Sequence, residues 1–177
     1  MTTSATPPVV LIPDAGPLIT LAYADALDLL LRPQWLVRIV DMVLHEVTRN
    51  ATPTSEKIAQ WVALQAVEIV STRTYAYYQT AQLEAGGQPR KSNLGELAIQ
   101  ETMHDLALTQ LDTTGVFLFE DHKIARASFL LPDNCRKIST RAWLLFLEGK
   151  GWIASAAQVE RAAIANGRNF SRLRLPS

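Results

Sequence analysis

Short β-branched apolar runs alternate along this chain with longer segments in which apolar residues recur at helical spacing. The run at residues 9–12 reads as a buried strand ending at Pro13-Asp14. Pro17, favoured in a first helical turn, then opens a helix in which Leu18, Ile19, Leu21 and Ala22 share helical spacing. A second short helix is predicted over 25–31, closed by Pro33. A strand follows at 37–41, a short helix at 43–49 and a break at 50–53. Residues 54–66 form an amphipathic pattern, with Ile58, Trp61, Val62 and Gln65 on one face. A third strand is predicted at 67–71 and a helix at 74–84, interrupted by Gly86, Gly87 and Pro89 in a loop that carries Arg90 and Lys91. The remaining elements are a longer helix at 94–108, strands at 116–119 and 136–138, and helices at 122–131, 141–150 and 156–165. This alternation predicts right-handed crossovers and an α/β three-layer sandwich around a mainly parallel sheet of four or five strands. Folds of this kind bind ligands at the carboxyl ends of their strands.

Composition narrows the picture. The length of 177 residues suits one domain, with a core over about 9–150 and terminal helices over about 139–170. Basic and acidic residues number 17 each, so any positive surface must be local. The single cysteine, Cys135, excludes an intrachain disulfide framework and a cysteine-based zinc site, and reads as a small buried residue in a reducing compartment. No apolar run reaches the roughly 18 residues of a membrane span, and residues 1–8 lack the pattern of a signal peptide. The expected location is the cytoplasm. Phosphate-binding glycine loops, a Gly-x-Ser-x-Gly elbow and a paired-histidine zinc helix are all missing from the sequence.

The chemistry lies in the carboxylates. Asp14 directly follows the first strand, Glu46 lies in the helix after the second, Glu96 in the first turn of the long helix, and Asp121 after the fourth strand. A parallel sheet can bring all four to one rim, where they would repel one another unless a cation lay between them. A hard divalent ion prefers oxygen ligands, lowers the pKa of a bound water and stabilises charge on a phosphoryl oxygen. Each acid also has an ordinary reading: Asp14 and Asp121 as helix caps, Asn93 with Glu96 as a capping box, Glu46 as a solvated side chain on an exposed face. His45 and His122 adjoin proposed ligands and are candidate bases, with a structural role the simpler reading. Arg90, Lys91, Lys123 and Arg126 are candidates to guide a phosphate backbone. Tyr75, Tyr77 and Tyr78 suit either base stacking or the packing of a helix face.

Four segments, in order, resemble the motifs of PIN-domain ribonucleases, and of the VapC-like bacterial toxins among them: Ile12-Pro13-Asp14-Ala15-Gly16-Pro17-Leu18-Ile19, Val43-Leu44-His45-Glu46-Val47, Leu94-Gly95-Glu96-Leu97-Ala98-Ile99, and the stretch from Phe117 through Asp121 to Arg126. Residues 139–171, including Gly151-Trp152-Ile153, resemble the terminal helices of one bacterial branch. The resemblance implies a Mg²⁺- or Mn²⁺-dependent endoribonuclease. Asp14, Glu96 and Asp121 would be metal ligands, Glu46 a fourth catalytic acid, and Glu120 and Arg126 accessory residues. It also implies an RNA substrate, a type II toxin–antitoxin pairing with a small antitoxin, and a homodimer. Two positions depart from the family pattern: the third motif carries glutamate where aspartate is frequent, and Glu120 replaces the asparagine or threonine often found before the last aspartate. The alternative is a catalytically weak PIN-like module that binds RNA or protein. An aspartate-nucleophile phosphatase is disfavoured because Gly16 stands where a second aspartate is normally needed.

Overall fold

A computed structural model describes residues 7–85, 93–120 and 131–169. The first apolar run forms β1 (Val9–Pro13) and leads into α1 (Ala15–Tyr23). A 3₁₀ turn (Leu27–Leu31), β2 (Leu36–Val40), α2 (Asp41–Thr48), α3 (Pro53–Leu64), β3 (Glu68–Val70), α4 (Arg73–Ala85) and α5 (Leu94–Thr109) follow. The chain continues with β4 (Thr114–Phe119), β5 (Cys135–Ser139), α6 (Thr140–Gly149) and α7 (Ala156–Ala165). The predicted helix at 122–131 falls almost entirely on residues 121–130, and the predicted loop at 86–91 on residues 86–92; both stretches lie outside the described residues.

All five strands are parallel, in the order β3-β2-β1-β4-β5. The expected three-layer α/β sandwich is therefore the observed one. Ile12 pairs with Phe117 and Pro13 with Leu118 across the two central strands, and Leu11, Ile12, Phe117 and Leu118 have no solvent exposure. Strands covered on both faces need continuous apolar runs, which is why these stretches carry no alternation. From β1 the chain winds outward through β2 to β3, then returns to place β4 on the other side of β1. That reversal makes the β1–β4 junction a topological switch point, the position where open α/β sheets bind ligands. Helices α1, α3, α6 and α7 pack in one connected group and α4 with α5 in another. The short α2 touches both groups.

Several predicted elements are corrected. The second short helix is a 3₁₀ turn, entered through Asp25 at φ 52°. Helix α2 begins two residues early, because the Asp41 carboxylate accepts the Thr72 N–H and hydroxyl, both at 2.8 Å, and so is fixed by the β3–α4 junction. Helix α3 begins at Pro53, fastened by reciprocal bonds between Thr52 and Ser55, and Gln65 is exposed rather than part of the buried face. The capping box of Asn93 and Glu96 does not form: Asn93 adopts φ 71° and its side chain caps nothing, while its carbonyl accepts the Leu97 N–H at 3.0 Å.

The α4–α5 pair is joined by Glu101, whose carboxylate accepts the backbone N–H groups of Arg73 and Thr74, the Thr74 hydroxyl and the Arg73 Nε. Burial alone would raise this carboxyl; the hydrogen bonds from Arg73 and Thr74 outweigh it and hold the group below its ordinary 4.5. A depressed carboxylate stabilises the fold fully above the unfolded value, and the contribution is lost as pH falls through the lower folded value. Glu101→Gln is expected to cost about 1–2 kcal/mol at neutral pH and to flatten the acid limb of the stability curve. Denaturant melts of both proteins from pH 7 to pH 3 measure this, and equal acid limbs would contradict it.

Candidate functional site

Asp14 is wholly buried at the carboxyl end of β1, and its N–H donates to the Leu118 carbonyl at 2.8 Å. It occupies the cap position of α1 in extended conformation, but its side chain takes no cap hydrogen bond from the helix. Capping therefore does not account for a buried carboxylate at this point.

Glu120 is the next acid along the same edge. It directly follows β4 and is only 4% exposed. The Thr20 hydroxyl donates to Glu120 Oε1 at 2.7 Å, and the Arg168 guanidinium lies 3.6 Å from the same oxygen. Arg168 Nε also donates to Thr20 Oγ1 at 2.9 Å, so the hydroxyl links the two charged groups. Gly16 makes the approach possible: a Cβ built there would stand 2.3 Å from Glu120 Cγ. Gly16 and Thr20 are one helical turn apart and present the same face of α1 to this side chain. Glu120, expected only as an accessory acid, is thus seated by a glycine, a threonine and an arginine. Thr20 and Arg168 were not anticipated, because only the fold brings them to Glu120.

Glu46 is not the solvated side chain of the simplest reading. It is half-buried, and its Oε1 accepts the Gly95 N–H at 3.0 Å at the start of α5. A carboxylate there is favoured by the unpaired amides and the dipole of the helix N-terminus. Gly95 again gives clearance, since a Cβ would lie 2.6 Å from Glu46 Oε2. Glu96 follows directly, half-buried in the first turn of α5. The left-handed Asn93 lets the chain enter α5 so that Gly95 meets Glu46. A cleft of about 290 Å³ adjoins Glu46, lined also by Thr52, Thr54, Tyr23 and Arg168. Glu46 and the partner of Glu120 therefore border the same space.

An all-carboxylate set of donors suits a hard divalent cation. Among the described residues, however, no three acids, histidines or cysteines stand together closely enough to hold one ion. Glu46 is turned toward Gly95, and Glu120 toward Thr20 and Arg168. Asp121, His122, Lys123 and Arg126 lie outside the described residues, as do Arg90 and Lys91. The donor type fits such an ion; the described arrangement does not complete its coordination.

The other candidates take structural places. The His45 ring lies between Tyr75 and Tyr78, with centroids 5.4 and 5.2 Å away and its ring nitrogens 3.5 and 3.3 Å from their hydroxyls. Burial, then the nearby Arg49, lowers its pKa, so the neutral ring packs α2 against α4. Tyr78 is buried there, whereas Tyr77 is 76% exposed. His104 is exposed on α5. Cys135 is buried, and burial raises its thiol, which disfavours a nucleophilic role. No helix among the described residues is long and apolar enough to cross a membrane. Compared with family models, curated proteins and solved structures, the chain matches none.

Proposed function

We propose that this protein is a Mg²⁺- or Mn²⁺-dependent endoribonuclease of the PIN-like type. In this reading it acts in the cytoplasm as the toxin of a type II toxin–antitoxin pair, works as a homodimer and is restrained by a small antitoxin. The observation that carries the reading is the placement of Asp14 and Glu120 at the ends of two adjacent parallel strands, at the switch point of the sheet. Glu46 on α2, bonded to the Gly95 N–H, and Glu96 in the first turn of α5 are the further acids of this reading.

A bound divalent ion would supply an acidified water and charge stabilisation for a phosphodiester. The chain's own contribution is pre-organisation. Asp14 is held rigidly by the β1–β4 ladder, and the Gly95 N–H aims the carboxylate of Glu46. Glu96 and Asp121 are the further ligands in this reading, with Arg126 as an accessory contact to the RNA backbone. Incubation of an end-labelled RNA pool with Mn²⁺ is expected to yield discrete fragments that vanish in EDTA. Intact RNA under both conditions would count against the nuclease.

A second reading, a PIN-like module that binds RNA or protein without cutting, is favoured by two observations. Glu120 is engaged by Arg168, and the described acids do not gather in threes. Retention of uncut RNA in a gel shift, with no fragments in Mn²⁺, is its signature.

A further inference from the structure

Helix α4 carries two charges, Arg73 in its first turn and Glu84 in its last, with only uncharged residues between them. Each stands at the end of the helix that disfavours it, since the amino end attracts anions and the carboxyl end attracts cations. Glu101 offsets part of this by accepting the Arg73 Nε, yet the Arg73 side chain is still 77% exposed. Glu84 is exposed too. The face between the two charges is apolar and open. Tyr77 and Leu83 stand largely in solvent, and Leu97, across on α5, is half exposed. Two hollows, of about 400 and 480 Å³, share Thr74, Tyr77 and Leu97 in their walls; one extends toward Glu84 and the other toward Arg73. Tyr77 is thus a projecting ring beside two depressions, so the surface carries both a knob and the holes to receive one.

We propose that this face binds a second copy of the chain, with the two α4 helices antiparallel across a two-fold axis. The inference rests on the homodimer of the reading above and names its surface. A two-fold interface uses the same patch on both copies, so that patch must complement itself. Antiparallel α4 helices satisfy this. Arg73 and Glu84 lie about 16 Å apart along the helix axis, and antiparallel pairing sets each Arg73 beside Glu84 of the partner subunit. Both disfavoured helix ends are then corrected at once. A guanidinium has five donors in a planar fork, so Arg73 can keep Glu101 and take a second carboxylate. The same register sets Tyr77 against Thr80 of the partner subunit, where the ring can enter a hollow between α4 and α5. Tyrosine is well suited to anchor such a contact, with a large apolar ring and a polar tip. Parallel pairing would instead bring like charges together at both ends.

Sedimentation velocity over a wide concentration range tests the proposal. The wild type is expected to sediment as a dimer. Tyr77→Arg is expected to weaken that dimer about a hundredfold and Glu84→Lys about tenfold. Both positions are exposed, so thermal melts should stay close to wild type. A wild-type dimer that both variants form as tightly overturns this face and leaves the homodimer reading in place. Weakening by Tyr77→Arg alone overturns the antiparallel pairing. A monomeric wild type overturns the proposal and the homodimer together, and leaves the face to a different partner. Cross-linking provides a readout that disrupts nothing. Thr80→Cys, near the two-fold axis, is expected to join two copies through a short bismaleimide, whereas Leu64→Cys, exposed on α3, is not; Cys135 is buried and does not compete. Absence of linked copies for Thr80→Cys, where the wild type is dimeric, overturns the proposal.

Discussion

Asp14→Asn is expected to reduce Mn²⁺-dependent RNA cleavage on the order of a thousandfold while leaving the fold intact. The side chain is fully buried at the end of β1, so its charge acts where water screens little. Asparagine keeps the volume and the planar shape but loses the negative charge that a cation or an activated water would need. The backbone changes nothing, because the Asp14 N–H still reaches the Leu118 carbonyl. Helix α1 loses no cap, since the native side chain provides none. Stability should therefore stay within about 1 kcal/mol. Two measurements decide the matter: the rate of cutting of a labelled RNA and a thermal melt. Undiminished cutting by a folded variant would remove Asp14 from the active site.

The parts legible in the sequence were those with a single physical solution. A β-branched run such as residues 9–12 can be satisfied only by burial on both faces, and its strand emerges within one residue of the expected end. Asp14, placed directly after such a run, could be located at the carboxyl edge for the same reason. Boundaries set by distant partners were not legible. Helix α2 starts at Asp41 because Thr72, in another turn, fixes the carboxylate. The spacing of Asn93 and Glu96 suits a capping box, yet the chain enters α5 through a left-handed residue so that Gly95 can meet Glu46. The end of β4 at Phe119 was legible, since the strand predicted at 116–119 stops there; that Glu120 is held by Thr20 and Arg168 was not. Arg168 was the least visible of all, because its role exists only once α7 has packed on α1.

Gly16→Ala is expected to destabilise the protein by about 1–2 kcal/mol and to dislodge Glu120. The new methyl would sit 2.3 Å from Glu120 Cγ and 3.4 Å from its Cβ. It meets the stem of the side chain, not a flexible tip, so relief requires the carboxylate to leave Thr20 and Arg168. Gly16 lies within α1 and is not among the glycines at positive φ, so its backbone accepts alanine, and helix propensity alone would favour the change by up to about 1 kcal/mol. Packing and propensity therefore act in opposite directions, and Glu120→Ala separates them. Without Cγ the clash disappears, so in the Glu120→Ala background the same Gly16→Ala substitution should be neutral or stabilising. The sign reversal is a coupling of at least about 1 kcal/mol between the two positions, readable from four denaturant melts. Additive effects within a few tenths of a kcal/mol would mean that Glu120 does not rest on Gly16 in solution. The same Gly16→Ala protein tests the chemistry. If Glu120 serves the acidic edge, RNA cleavage falls along with the packing, whereas cleavage that stays at the wild-type level assigns the Gly16–Glu120 contact to stability alone.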